Sequence, residues 1–555
     1  MAPWCPADST KPVFVGIYGA VIGGFAVSAL FFLLSSFSSL AAPPLPIPPA
    51  SAAAANLSGA VSGVAQPETM YNRPIWKPPP RRERMPAPRA FRLTREMVGA
   101  RARGGAIVVT FGNHAFLDFI LTWVRHLTDL GVDSLLVGAM DTKLLRELYL
   151  RGVPVFDMGS RMATEDAVWG SPTFHKMGRE KVLLINTLLP FGYELLMCDT
   201  DMVWLKNPLP YLARFPDADL LTSSDQVIPT VTDDSLENWR EGELSTLCNN
   251  APYLSHMFCQ GMYQQLRLEP YAVHTTFQYA GTAGKRHRLR EAMLFFDQPS
   301  YYDSPGGFLS FRPNIPKSLL LDGAHTVKSH FALVNYQLKQ IRTALAIASL
   351  LKRTLVMPPL WCRLDRMWFG HPGVLEGTMT RQPFLCPMDH VFEVHVMLKD
   401  LPKEEFGPHI DFREYSFLEN PSLPKQVKES FLEVELCNEH STRCSTTNRT
   451  NKGAPVLLPR NSTEQTLLDI FKPYKDIKIL QFSSMVNAFG GFSDAAVDTK
   501  FRNRVKRYVG LWCCVQLREI GHIYYDMYWD EKPGWKPLPP QTKVEDHPPW
   551  LEVQE

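Results

Sequence analysis

Between residues 106 and 198 the chain repeats one pattern. A short apolar run is followed by a longer stretch whose apolar residues recur every three or four positions. Residues 106–112 (AIVVTFG), 134–140 (SLLVGAM) and 153–159 (VPVFDMG) read as strands. Residues 115–130, 141–152 and 175–192 read as helices, the last two closed by Gly152 and Gly192. The apolar run Tyr193–Cys198 is a fourth strand, and Ala218–Thr222 is a further strand expected downstream. Strand and helix in alternation predict a parallel α/β sheet that binds ligands at the carboxyl ends of its strands.

A second α/β block begins near Ser318, where HFALVNYQLKQIRTALAIASLLKRTLVMPP reads as a long helix entering a buried strand. Residues 404–463 are polar and rich in Pro, Asn and Ser, so a long loop region is expected there.

The N-terminus has a different pattern. Val13–Leu34 holds 22 residues without a charge. That matches the roughly 20 residues needed to cross a bilayer as a helix. It exceeds the apolar core of about 7–15 residues in a cleaved signal peptide, so an uncleaved signal anchor is expected. Residues 35–103 form a stem, first rich in Ala, Pro and Ser. Between Arg73 and Arg103 it carries ten basic residues against two acidic ones. Such a stretch buries little and stays extended. The sequons at Asn56, Asn448 and Asn461 are compatible with a lumenal body. Cys437 and Cys444 are placed for a local bridge, whereas the pairing of Cys513 and Cys514 is left open.

Over 555 residues the net charge is +2 and 21% of residues are charged, which excludes wholesale disorder and gives nucleic acid no basic surface to meet. Ten cysteines are too few for a disulfide-built scaffold.

The chemistry centres on Asp199-Thr200-Asp201, directly after the fourth strand. Two carboxylates two residues apart at a strand end can share a divalent cation, which in turn can neutralise a diphosphate leaving group. His274 is the candidate third metal ligand. Thr110, Gly112 and Asn113 end the first strand, where a nucleoside would rest. Lys176, Arg179 and Lys181 lie on the helix before the motif and are candidates to reach the diphosphate. Ser223 and Ser224 are placed to meet a donor sugar, and Asp225 is the catalytic candidate.

The segments FGNHAFLDFILTWVRHLTDLG, LVGAMDTKLL, GVPVFDMGS, FHKMGREKVLLI and FGYELLMCDTDMVWLKNPLPYLARFPDADLLTSSDQV closely resemble the plant arabinosyltransferases of glycosyltransferase family seventy-seven. The likeness is to the xyloglucanase-resistance type and runs from Phe91 to Met527. It implies a GT-A-like nucleotide-diphospho-sugar transferase domain plus a C-terminal α/β accessory domain, after a single N-terminal transmembrane helix. It also implies a retaining, Mn²⁺-dependent transfer of L-arabinofuranose from UDP-arabinofuranose. The acceptor would be a hydroxyproline-linked arabinofuranosyl chain of extensin. The setting would be the Golgi membrane, type II, with other Golgi arabinosyltransferases as candidate partners. The expected division is a cytosolic tail (1–12), an anchor (13–34), a stem (35–103), a catalytic domain (104–317), a C-terminal domain (318–530) and a polar tail (531–555).

One departure stands out. In the family a long segment separates the Asp-Asp-Ser-Leu-x-x-Trp stretch from Met-Tyr-Gln-Gln-Leu, whereas here only Arg240–Gly261 joins Trp239 to Met262. An internal deletion is expected. Two functions therefore compete, an active arabinosyltransferase and a catalytically impaired Golgi partner of active transferases. The 330–359 block also resembles the first βα unit of fucosyltransferase-like folds, in which Asn335, Gln337 and Arg342 would face a nucleotide sugar.

Overall fold

The computed structural model describes residues 71–80, 85–168, 170–221, 271–275, 280–323, 327–363, 383–438, 444, 454–509, 511–513, 522–524 and 527–531. All belong to one compact unit, Glu68–Glu555. The expected anchor at 13–34 lies outside them. Among the described residues no helix is long and apolar enough to cross a membrane.

The first sheet has four parallel strands, β1 (Ala106–Gly112), β2 (Leu135–Ala139), β3 (Val155–Asp157) and β4 (Glu194–Met197), in the order β3-β2-β1-β4. Three helices follow its strands, α1 (Leu117–Asp129), α2 (Thr142–Leu150) and α3 (Pro172–Leu188). Alternation sends odd and even positions of β1 to opposite faces. Val108 joins Trp123, Leu127, Leu144 and Leu148 on the α1 and α2 side. Ile107, Val109 and Phe111 join Leu184 and Leu188 of α3 on the other. The helix starts are set by capping. The Asp141 carboxylate accepts from the amides of Lys143 and Leu144, each at 2.9 Å. Ser171 caps α3, with Pro172 in its first turn. Gly192 ends the following turn with φ of 79°.

Two short antiparallel strands, β5 (Met202–Trp204) and β6 (Ala272–His274), lie beyond β4. The strand expected at Ala218–Thr222 does not form over residues 218–221, and Leu220 is 81% exposed. A strand needs a ladder partner for its backbone groups, and none of the described strands pairs there.

The second sheet is parallel throughout and has six strands. They are β7 (Phe308–Phe311), β8 (Thr354–Val356), β11 (Phe412–Arg413), β12 (Phe431–Cys437), β13 (Val456–Pro459) and β14 (Ile479–Phe482), in the order β11-β8-β7-β14-β12-β13. A hairpin of β9 (Leu360–Cys362) and β10 (Phe384–Cys386) stands after β8 and is bridged by Cys362–Cys386. The Cys437–Cys444 bridge is present as well. Residues 404–463 are thus no long loop, since they supply three of the six strands. The acidic positions of β12 hid it, because Glu433 and Glu435 break the apolar run. β7 lies before residue 318 yet is central in this sheet.

Helix α4 (Gly281–Glu291) joins the two halves. Arg288 donates from Nε and Nη2 to the buried Asp389 carboxylate, at 2.9 and 2.5 Å. The Tyr301 ring meets the guanidinium groups of Arg290 and Arg413 at 4.1 and 4.2 Å from its centre.

Candidate metal and nucleotide site

β1 and β4 end side by side, and the turn after β4 carries Asp199 and Asp201. Gly112 makes this close approach possible. A Cβ there would meet Thr200 Cγ2 and Ile120 Cδ1, both at 3.3 Å. The Thr110 hydroxyl donates to the Cys198 carbonyl at 3.0 Å and ties β1 to the motif. Thr110 is fully buried, so it serves the strand junction rather than an open nucleoside site.

The Asp199, Asp201 and His274 side chains converge, with one potential ligand atom from each lying within 4.8 Å of the others. Pairing of β5 with β6 sets Met202 opposite His274 and brings the imidazole to the motif across 73 residues. His274 Nε2 is 3.2 Å from Asp201 Oδ1 and 3.7 Å from Asp199 Oδ2. Two carboxylates and an imidazole make a donor set that suits a divalent cation such as manganese, so these residues fit a metal.

Two lysines flank the carboxylates. Lys181 of α3 donates to Asp199 Oδ1 at 2.6 Å. Lys285 of α4 donates to Asp201 Oδ2 at 2.5 Å. Burial would raise the Asp201 carboxyl, but His274 and Lys285 hold it well below the usual carboxylate range. Burial would likewise lower His274, and Asp201 with Asp199 raises it instead. Burial pushes the neighbouring Cys198 thiol up to about 12, which keeps it protonated and unreactive.

The other expected residues separate. Asn113 is fully buried, and its amide donates to the carbonyls of Ala163 and Glu165 at 2.8 and 2.7 Å. Its Oδ1 is buried without a partner. Lys176 Nζ donates to the Ser160 carbonyl at 3.0 Å. Arg179 is exposed. Ser223, Ser224 and Asp225 lie outside the described residues, as does Arg240–Gly261.

In the second sheet the fucosyltransferase-like positions are taken. Gln337 accepts from the Trp361 amide at 2.9 Å and donates to the Trp361 carbonyl at 2.8 Å. Arg342 holds Asp530 and stacks on Tyr528. Neither presents its polar group to a ligand, whereas Asn335 keeps a buried Oδ1 without a partner.

Lys285 is the site residue that sequence reasoning missed. It sits in GTAGKRHRLRE, a helix with so little apolar patterning that it reads as a solvated face. The signal was its place on the helix that follows His274.

Residues 130–263 match the family model described as nucleotide-diphospho-sugar transferase. The chain is 54% identical to arabinosyltransferase XEG113 of Arabidopsis thaliana, over 98% of either chain. This chain belongs to the plant arabinosyltransferase family. It is also 30% identical to the β-arabinofuranosyltransferase RAY1 of Arabidopsis thaliana, over 22% of this chain and 23% of that one. Arabinosyl transfer by a nucleotide-sugar transferase domain is therefore the family's chemistry, and it needs a nucleotide-sugar donor and a glycan or glycoprotein acceptor. The alignment to the first relative spans 646 positions and this arabinosyltransferase has 555 residues, so at least 91 positions of that alignment have no counterpart here.

Proposed function

We propose that this chain uses UDP-arabinofuranose to extend hydroxyproline-linked arabinofuranosyl chains of extensin-type cell-wall glycoproteins, with retention at the sugar carbon. The observation that carries the reading is the convergence of Asp199, Asp201 and His274 at the end of β4 in a chain of this family. These three residues would hold Mn²⁺, which when bound supplies positive charge to the leaving diphosphate. Lys181 and Lys285 supply further charge, since an ammonium that bonds a carboxylate bonds a phosphate oxygen equally well. Asn113 Oδ1 is an acceptor aimed at no protein group, and it suits an N–H of the base. Asp225 is the proposed carboxylate that meets the donor sugar. The N-terminal anchor would place the body in the Golgi lumen.

The test is transfer of arabinofuranose from UDP-arabinofuranose to an extensin arabinoside, with and without Mn²⁺. No transfer alongside intact Mn²⁺-dependent UDP binding would instead support a second reading, a Golgi partner of active transferases. The shortfall of at least 91 alignment positions favours that second reading.

A further inference from the structure

Helix α3 buries Leu184 and Leu188 against the sheet, yet it carries a second apolar stripe. Phe174, Gly178, Val182, Ile185 and Leu189 recur every three or four positions and so share one side. Phe174, Val182 and Leu189 are 38%, 65% and 56% exposed. Lys181 lies within that stripe, three residues after Gly178 and four before Ile185, and its Nζ reaches Asp199 at the end of β4. The stripe therefore looks out over β4, the strand at one edge of the first sheet. Among the described strands β4 pairs only with β1. Its Leu195, Leu196 and Met197 are half-buried, where a central strand would be covered on both faces. Leu195 and Met197 pack on the α3 side, continuous with the stripe. An apolar stripe beside an open edge marks a surface made to be covered.

The occupant follows from length. The Arabidopsis relative aligns over at least 91 more positions than this chain can fill. The chain leaves the described structure at Leu221, just past the unformed strand, and returns at Tyr271 beside β5. Both ends open beside the metal motif. We propose that the α3 stripe and the free edge of β4 are the seat of the stretch that the relative carries and this chain lacks. The seat is open in this chain. This follows from family membership and packing, and it stands whether or not the chain transfers sugar.

Hydrogen exchange on the full chain tests it, beside a version with the relative's stretch restored. Outward-facing amides of Glu194–Met197 should exchange at least a hundredfold more slowly in the restored version. In this chain Val182→Glu and Leu189→Glu should leave the melting temperature unchanged, and in the restored version they should lower it. Equal exchange in the two versions overturns the proposal. So does protection of β4 already present in this chain, whether by residues 222–270 or by a second copy. Should the restored version not fold, the substitutions in this chain decide alone. A melting temperature lowered by Val182→Glu would show that the face is covered and the proposal wrong.

Discussion

Lys285 Nζ stands 2.5 Å from Asp201 Oδ2, while His274 Nε2 stands 3.2 Å from the other oxygen of the same carboxylate. One buried carboxylate thus answers two cations from two different elements. A metal and Lys285 compete for Asp201, whereas a metal and a diphosphate both recruit it. Lys285→Met should therefore split two affinities. Mn²⁺ alone should bind as tightly as before or more tightly, because a competitor is gone. Mn²⁺-dependent UDP affinity should fall about 10- to 100-fold, the size of a lost charged hydrogen bond. Calorimetry with Mn²⁺, then with Mn²⁺ and UDP, reads both; parallel losses would place Lys285 in a structural role.

Asp201→Ala should abolish Mn²⁺-stimulated UDP binding while far-ultraviolet circular dichroism stays that of the parent. Asp199→Ala should do less, because its carboxylate is 41% exposed and water can stand in for part of it. Unchanged Mn²⁺–UDP affinity in the Asp201 variant would put the site elsewhere.

The Arg288–Asp389 pair is almost wholly buried, and both partners lose water on folding. Breaking such a pair from one side leaves a charge stranded and costs about 3–5 kcal/mol. Arg288→Met should show that loss in urea unfolding. Arg288→Met with Asp389→Leu should recover much of it, because no charge is then left behind.

Transfer needs donor and acceptor held in one reactive geometry, and a missing wall costs more than a missing contact. This chain should therefore transfer at least about a hundredfold more slowly than a version of family length on an extensin arabinoside. Equal turnover would make the absent stretch dispensable.

Asn461 has an exposed side chain in an Asn-Ser-Thr sequon at the start of a helix. In a plant cell, a lumenal body should carry a glycan there. Mass spectrometry should find it lost on Asn461→Gln; an unmodified Asn461 peptide would count against the lumenal topology.

The first sheet was legible because its strands are short apolar runs separated by capped, periodic helices. Asp199, Asp201 and His274 were legible because a strand end and a paired strand converge by topology. What escaped did so for physical reasons. β12 carries alternating glutamates and reads as loop, although its pairing with β13 and β14 makes it a strand. Lys285 escaped because α4 has charges on all sides, each tied to a partner far away in sequence. Ala218–Leu221 has the composition of a strand, but composition cannot supply the neighbour a strand must bond.

Helix α4 presents Lys285 to Asp201, Arg288 to Asp389 and Arg290 to Tyr301, on successive turns. A recombinant fragment trimmed near residue 317, the intuitive way to isolate a catalytic core, would keep the first contact and strip the second. It would also leave Phe308–Phe311 without either neighbouring strand. The smallest workable unit for expression is thus set by the arginines of one helix, and it extends to the far end of the second sheet.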